Sequence, residues 1–296
     1  MIFPPFDPDR TETRRRRFRA IPVRTLVPNV ITLLALCAGL TAIRLSVEGR
    51  LEWALGAIVF AAILDGIDGR VARLIKGQSR FGAELDSLAD FVNFGVAPGL
   101  ILYFWGLNEI GSAGWIAALV FAICGGLRLA RFNVMSEDPN QPAWASNFFT
   151  GMPAPAGAIT VLLPVYISLL GGPHFAVVTF LYTLLIAFLM VSTLPVYSGK
   201  KIGTRVPPEA VLPVFVVVVL FVALLVSYPW QVLTIGTVAY LAALPWSYRA
   251  HRRFAQAAPA EPADAGEPQQ AGVQPASAIS PTLAANDDED RPARLN

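Results

Sequence analysis

Residues 62–91 read AILDGIDGRVARLIKGQSRFGAELDSLADF, and apolar runs precede and follow this stretch. It contains four aspartates, Asp65, Asp68, Asp86 and Asp90. They fall where a membrane protein would bury its side chains, and an ionisable group at bilayer depth costs at least about 2.5–3.5 kcal/mol. A cluster of four within 26 residues therefore indicates a functional site rather than ordinary packing.

The whole chain is too apolar for a soluble globular protein of its size. Of its 296 residues, 54% are hydrophobic and only 15% are charged, whereas soluble domains carry about 25% charged residues. A spanning helix needs about 20 mainly apolar residues, and eight runs approach that length. They are residues 27–47, 53–74, 88–107, 113–134, 154–171, 175–195, 210–228 and 231–248. The predicted fold class is an all-α, polytopic membrane helix bundle with about eight transmembrane helices.

The positions of basic residues predict how this bundle is oriented, because Lys and Arg concentrate in cytoplasmic segments. Seven arginines lie between residues 10 and 24. If the N-terminus is cytoplasmic, the other basic residues fall mainly in inner loops, and only Arg44 and Arg50 fall on the outer side. We therefore expect both termini and the four aspartates at the cytoplasmic side of the membrane.

Composition divides the chain into three parts. Residues 1–26 form a basic cytoplasmic arm, which either rests on anionic lipid headgroups or only sets the topology. Residues 27–254 are predicted to form the transmembrane domain, which would hold any catalytic site. Residues 255–296 contain six prolines and no aromatic residue. Such a segment cannot bury enough apolar area to order itself, so we expect a disordered cytoplasmic tail.

The spacing of the aspartates predicts that their carboxylates converge. The first two are three residues apart and the last two are four apart, so each pair shares one helix face. A short link at about residues 76–80 makes the two helices antiparallel neighbours. Gly69, Ala72 and Gly82 lie on the same faces, and their small size leaves the seam open to a ligand or to close helix approach.

Converging carboxylates repel one another unless cations neutralise them. All-oxygen surroundings suit hard divalent ions such as Mg²⁺, Mn²⁺ or Ca²⁺ better than zinc. Two such ions a few ångströms apart form the clamp used for displacement at phosphorus. Arg73, two turns along from Asp65, is placed to hold a phosphate.

Other interpretations of these aspartates exist. An EF-hand is excluded, because Ile67 and Lys76 occupy its third and twelfth positions, where oxygen ligands are needed. The acids could instead form structural ion pairs with Arg70, Arg73 and Arg80. An ion-coupled transporter also uses intramembrane carboxylates, usually between repeated halves, and this chain shows no internal repeat. Spacing alone leaves the last two interpretations open.

Residues 65–90 resemble the signature of the CDP-alcohol phosphatidyltransferase family, D-x2-D-G-x2-A-R-x8-G-x3-D-x3-D, at all eight specified positions. Four further stretches resemble this family and its multi-spanning bacterial phosphatidylserine synthase branch. They are VPNVIT (27–32), FGAELDSLADFVNFGVAPG (81–99), GGLRLARFNV (125–134) and FFTGMPAPAGA (148–158). The resemblance covers most of residues 27–160, and the later helices show only general similarity.

This resemblance implies transfer of a phosphatidyl group from CDP-diacylglycerol to L-serine, with release of CMP and with Mg²⁺ or Mn²⁺ in a two-metal site. It implies that Asp65, Asp68 and Asp86 hold one metal. Asp65, Asp86 and Asp90 would hold the second, with Asp90 as the general base on the acceptor hydroxyl. The residues implied to contact the CDP-diacylglycerol nucleotide are Asn29, Thr32, Gly69, Ala72, Arg73, Ser79 and Gly82.

The acceptor pocket should contain a cation, because free serine carries a carboxylate. Arg128 and Arg131, with the adjacent Asn133, lie in a branch-specific stretch and are predicted to bind the acceptor. Alternatively, the two arginines only anchor their helix at the cytoplasmic side. Glycerol phosphate, inositol phosphate and choline stay open as acceptors, although a phosphorylated acceptor calls for a more basic pocket. The resemblance further implies a homodimer in the bacterial inner membrane, and we expect no nucleic-acid partner.

Overall fold

The computed structural model describes residues 23–136, 148–192, 195–197 and 208–257. Its helices are α1 (Val23–Val47), α2 (Leu51–Leu74), α3 (Arg80–Asp90), α4 (Ala97–Trp105), α5 (Ser112–Ser136), α6 (Ala154–Val161), α7 (Leu163–Leu169), α8 (Ala176–Val191), α9 (Pro208–Ser227) and α10 (Pro229–Ala257). A π-helical turn, Phe91–Val96, joins α3 to α4, and a 3-10 turn, Leu107–Ile110, precedes α5. The predicted helical bundle is confirmed.

The only strands within the described ranges are β1 (Phe148–Thr150) and β2 (Pro195–Tyr197), which pair antiparallel. The sequence analysis did not predict this short ladder. Most of the predicted basic arm and of the predicted disordered tail lies outside the described residues, so both stay predictions.

The eight predicted apolar runs coincide with helices, but several differ in extent. The sixth run, 175–195, extends past the end of α8 at Val191, and α10 continues beyond the eighth run to Ala257. The third run is the apolar part of a continuous helical stretch that begins at Arg80. This stretch starts there because Ser79 is its N-cap. The Ser79 hydroxyl accepts a hydrogen bond from the Gly82 N–H at 3.0 Å. The fifth run is broken between α6 and α7, where Pro164 has no N–H to donate. In a continuous helix, residue 164 would donate its N–H to the Thr160 carbonyl. That carbonyl accepts a hydrogen bond from the Tyr182 hydroxyl instead, at 2.8 Å.

Three helical stretches are long and apolar enough to cross a membrane: Arg24–Val47, Arg80–Trp105 and Ser112–Ser136. Residues 211–227 and 229–245 form a further pair, bent by 118° at the break between α9 and α10. α2 has 24 residues, the length of a span. Its aspartates and arginines make its second half too charged to pass as an apolar span. The chain is thus a membrane protein, while the number of eight spans stays a prediction.

Small residues allow the bundle helices to approach closely, as is typical in membranes. α1 lies along α2 and buries Ala42 against it, and α5 passes the π-helical turn at Gly125. A Cβ added at Gly125 would lie 3.1 Å from the Gly95 Cα. α9, in contrast, exposes every side chain from Val211 to Leu224. Its apolar surface is suited to lipid or to another protein rather than to water.

The turn between α2 and α3 positions the aspartate stretch. α2 ends at Leu74, and Lys76 adopts a left-handed conformation with φ of 52°. Gly77 is buried, and a Cβ at this position would collide with the Arg24 carbonyl oxygen. The turn is therefore packed against the start of α1, and it brings α3 back beside α2.

Candidate active site

Three of the four aspartates form a compact acidic cluster. Asp65 and Asp68 of α2 and Asp86 of α3 each offer a carboxylate oxygen, and these oxygens lie within 4.8 Å of one another. A divalent ion with bonds of about 2.0–2.6 Å to oxygen can contact three ligands at this separation. The helical spacing and the tight turn together produce the predicted convergence.

Asp90 extends this cluster at the point where α3 passes into the π-helical turn. Its carboxyl group is within hydrogen-bonding reach of the Asp65 carboxyl group. Its Oδ1 atom is buried and has no hydrogen-bond partner among the described residues. π-helical turns recur at functional sites in helices. Asp90 is thus joined to the cluster through Asp65, while its other oxygen is left for a further group.

Thr32 links α1 to the acidic cluster. Its hydroxyl donates a hydrogen bond of 2.6 Å to the Asp68 Oδ2 atom, and both side chains are buried. A charge-assisted bond of this kind fixes the orientation of a carboxylate ligand. Within the part of the chain that the structure describes, no salt bridge joins the four aspartates to a basic residue. The interpretation as structural ion pairs therefore finds no support there.

A cavity of about 280 Å³ opens between α1, α2 and α3. All seven residues that were predicted to contact the nucleotide line it: Asn29, Thr32, Gly69, Ala72, Arg73, Ser79 and Gly82. Asp68 and Asp86 belong to the same lining, so the cavity reaches two carboxylates of the cluster. The structure thus brings together one open pocket and one acidic cluster that share a wall.

Glycine occupies the two motif positions in this cavity for different physical reasons. A Cβ at Gly82 would lie 2.8 Å from the Asn29 Oδ1 atom and 3.1 Å from the Ser79 Oγ atom, so the absence of a side chain allows α1 to approach. A Cβ at Gly69 would meet no atom of the described residues within 4 Å. Packing therefore does not require glycine at Gly69, and the open space there is available to a ligand.

Arg128, one of the residues predicted to bind the acceptor, interacts with the acidic cluster. It is 7% exposed and interacts electrostatically with Asp90 of the acidic cluster. Its guanidinium carbon lies 5.2 Å from the centroid of the Phe132 ring. This cation–π contact holds a buried positive charge beside the carboxylate that is predicted to act as the base.

Arg131 and Asn133 are held by structural contacts. The Arg131 guanidinium donates hydrogen bonds to the Val191 carbonyl at 2.7 Å and to the Ser192 carbonyl at 3.1 Å, at the end of α8. A basic side chain at a helix C-terminus stabilises carbonyl groups that have no partner within the helix. The Asn133 amide nitrogen donates to the Ser87 hydroxyl at 2.9 Å and so joins α5 to α3.

The motif and the site agree with comparisons to known proteins. A family model described as CDP-alcohol phosphatidyltransferase matches residues 25–194, which contain the acidic cluster and the cavity. The chain belongs to the CDP-alcohol phosphatidyltransferase family. A second model, described as CDP-alcohol phosphatidyltransferase 2, matches residues 209–245, which cover α9 and most of α10. The chain is therefore a transferase of this family.

Several relatives carry one name, CDP-diacylglycerol–serine O-phosphatidyltransferase. The relative from Mycobacterium tuberculosis is 39% identical over 234 residues, which cover 78% of this chain and 81% of that protein. The relative from Helicobacter pylori is 35% identical over 221 residues, 73% of this chain and 88% of that protein. The relative from Methanocaldococcus jannaschii is 35% identical over 176 residues, 59% of this chain and 76% of that protein.

The acidic triad of this phosphatidyltransferase fits a divalent metal. Its ligand atoms are all carboxylate oxygens, the donors that hard divalent ions prefer. The hydrogen bond from Thr32 to Asp68 supplies the outer support that metal ligands usually have. Three residues from two helices could therefore hold one ion, and Asp90 lies beside them.

Sequence reasoning did not single out several residues that line the cavity, nor the buried amide of Asn93. Pro28 and Gln78 line the cavity, and Gln78 lies in the link that the motif leaves unspecified. Asn93 is 1% exposed, and its Oδ1 atom has no hydrogen-bond partner in the described ranges. It faces Gly39 of α1, where an added Cβ would collide with that oxygen. The sequence did contain a signal for Asn93, because it is a polar amide inside an apolar run and lies three residues after Asp90.

Proposed function

We propose that this chain transfers the phosphatidyl group of CDP-diacylglycerol to the hydroxyl of L-serine, giving phosphatidylserine and CMP. The observation that carries the proposal is the shared wall between the cavity and the acidic cluster. A nucleotide bound in the cavity would present its diphosphate to the carboxylates. Relatives that align with most of this chain carry the name of that reaction, which supports serine as the acceptor.

In this proposal the cavity holds the nucleotide part of the donor, and Arg73 pairs with a phosphate. Asp65, Asp68 and Asp86 hold one Mg²⁺ or Mn²⁺ ion, and Asp65, Asp86 and Asp90 hold a second. When bound, the metals neutralise the diphosphate and stabilise charge that develops on its oxygens. The protein contributes the orientation of the carboxylates and of the donor between them.

The transfer step forms one oxygen–phosphorus bond and breaks another. The serine hydroxyl oxygen attacks the β-phosphorus, and the bond from that phosphorus to the oxygen shared with CMP breaks. Asp90 accepts the hydroxyl proton, and CMP leaves with the bridging oxygen. Asp90 suits this role because its Oδ1 atom is buried and has no partner within the described residues, and because the carboxyl group interacts electrostatically with Arg128.

We assign the serine carboxylate to Arg128 because this guanidinium is the buried positive charge next to Asp90. Arg131 and Asn133 then position the pocket, by holding α8 and α3 against α5. A phosphorylated acceptor would bring more negative charge than Arg128 neutralises. Choline has no carboxylate to pair with it.

The proposed setting is the bacterial inner membrane, with the site and both termini on the cytoplasmic side. The distribution of arginines supports this orientation, since seven of them precede residue 25. We further propose a homodimer, and the exposed apolar surface of α9 is available to a second copy or to lipid. A lipid donor could then enter from the bilayer while serine arrives from water.

The test is an assay of CMP release by the purified full-length protein with CDP-diacylglycerol, Mg²⁺ or Mn²⁺ and a panel of alcohols. We expect metal-dependent CMP release with serine. Release with another alcohol but not with serine would contradict the acceptor assignment. If no alcohol gives CMP, the enzyme proposal fails, and ion flux in liposomes would then test the transporter alternative.

A further inference from the structure

α10 carries two buried hydroxyls that the reaction described so far does not use. Thr237 is 3% exposed, and Tyr240 lies three residues later on the same helix face. The Thr237 Oγ1 atom and the Tyr240 hydroxyl oxygen are both buried without a hydrogen-bond partner among the described residues. Buried polar atoms are almost always paired, so two unpaired hydroxyls on one stripe indicate a polar ligand or water at this face.

Other threonines in the bundle, of which Thr183 is buried, show how a helix commonly satisfies a threonine hydroxyl. The hydroxyls of Thr41, Thr183 and Thr234 each donate to the carbonyl four residues earlier, at 2.6, 2.8 and 2.6 Å. This local bond is the usual solution in membrane helices. Thr237 does not make it, although Thr234 does so on the same helix. The Thr237 hydroxyl is thus turned away from its own backbone.

The Tyr240 hydroxyl is close enough to Arg128, a predicted acceptor residue, for the two groups to interact electrostatically. Arg128 interacts electrostatically with Tyr240 on α10 and with Asp90 at the acidic cluster. Asp90 and Tyr240, each with a buried and unpaired oxygen among the described residues, therefore both interact with one buried guanidinium. An amino acid with its carboxylate on Arg128 would place hydrogen-bonding groups within this polar region.

We propose that α10 completes the acceptor site. Tyr240 donates its hydroxyl proton to the serine carboxylate that Arg128 binds, and Thr237 supplies a second hydroxyl on the same wall. This inference rests on the proposed serine transfer and adds specificity residues to it. It gives the region matched by the second family model, residues 209–245, a part in acceptor recognition.

The test compares Tyr240→Phe with Tyr228→Phe in the full-length protein with CDP-diacylglycerol, serine and Mg²⁺. Tyr228 is 56% exposed at the break between α9 and α10, so it provides a matched control. Tyr240→Phe removes one hydrogen bond to a charged group, and we expect the serine KM to rise about 10- to 100-fold. The KM for CDP-diacylglycerol and kcat should change less than about twofold, and the control should behave as wild type.

A second pair of variants tests the threonine. Thr237→Val and Thr234→Val make the same change on the same helix, but only Thr237 lacks a backbone partner in the described region. We expect a higher serine KM for Thr237→Val, by about fivefold or more. Thr234→Val should keep the wild-type serine KM. Equal behaviour of the two variants would overturn the role of Thr237.

Serinol has the amine and hydroxyl of serine but no carboxylate. As an alternative acceptor it shows whether Tyr240 recognises the carboxylate or only supports packing. Tyr240→Phe should leave the serinol KM unchanged, because the lost bond goes to the carboxylate. If both KM values and the donor KM change together, Tyr240 only supports packing and the inference is wrong. If wild type releases CMP with serine and Tyr240→Phe keeps its serine KM, the inference alone fails. If wild type gives no CMP with serine, the proposed function itself fails.

Discussion

Replacing Gly69 by alanine should make the protein more stable and less active. Gly69 lies inside α2, where alanine favours the helix by about 1 kcal/mol over glycine. The new Cβ would meet no atom of the described protein within 4 Å, so no clash offsets this gain. The same Cβ projects into a cavity of about 280 Å³ that is assigned to the donor nucleotide.

A methyl group in a filled site typically costs about 1–3 kcal/mol. That corresponds to a rise of about 5- to 150-fold in the KM for CDP-diacylglycerol. CMP-release kinetics at saturating serine measure this KM, and a thermal unfolding midpoint in the same detergent reports stability.

Gly56 provides the matched control for this substitution. It lies on the same helix outside the cavity, and a Cβ there also meets nothing within 4 Å. Gly56→Ala should therefore give the same gain in stability with wild-type kinetics. The reasoning is refuted if Gly69→Ala keeps the wild-type KM for CDP-diacylglycerol, since the open space would then not belong to the donor.

Three further predictions concern the acidic cluster, its hydrogen bond from Thr32, and Arg131. Asp90→Asn should lower kcat by about 10²- to 10⁴-fold while CDP-diacylglycerol still binds, whereas Asp65→Asn should impair metal and donor binding together. Thr32→Val removes the 2.6 Å bond to Asp68, and we expect the Mg²⁺ concentration for half-maximal activity to rise about tenfold or more. Arg131→Met removes the bonds to the α8 carbonyls and should lower stability by about 2 kcal/mol or more, with a small effect on donor KM.

Each of these predictions has an outcome that contradicts it. Full activity in both aspartate variants would show that the acidic cluster is not the site. A Thr32→Val protein with an unchanged Mg²⁺ requirement would mean that this hydroxyl does not support a metal ligand, and Thr41→Val is the control on the same helix. An Arg131→Met protein of normal stability, but with a raised serine KM, would return Arg131 to the acceptor pocket.

The sequence by itself predicted which residues form the candidate site, because its information there is local. Helical periodicity places residues three or four apart on one face, so the two aspartate pairs were already defined along the chain. The short link between them left little freedom in how the two helices meet. The motif resemblance then supplied seven residues predicted to contact the nucleotide, and all seven line one cavity.

Tertiary structure decided which partners each residue meets, because spacing along the chain does not contain that information. Arg128 and Arg131 lie three residues apart and look equivalent along the chain, yet one lies beside Asp90 and the other caps α8. Tyr240 and Thr237 gave no sequence signal, because an unpaired hydroxyl is defined by what surrounds it in space. Gly69 and Gly82 also differ only in their neighbours. Helical period fixes the face on which a residue lies, and the packing of distant helices fixes what that face meets.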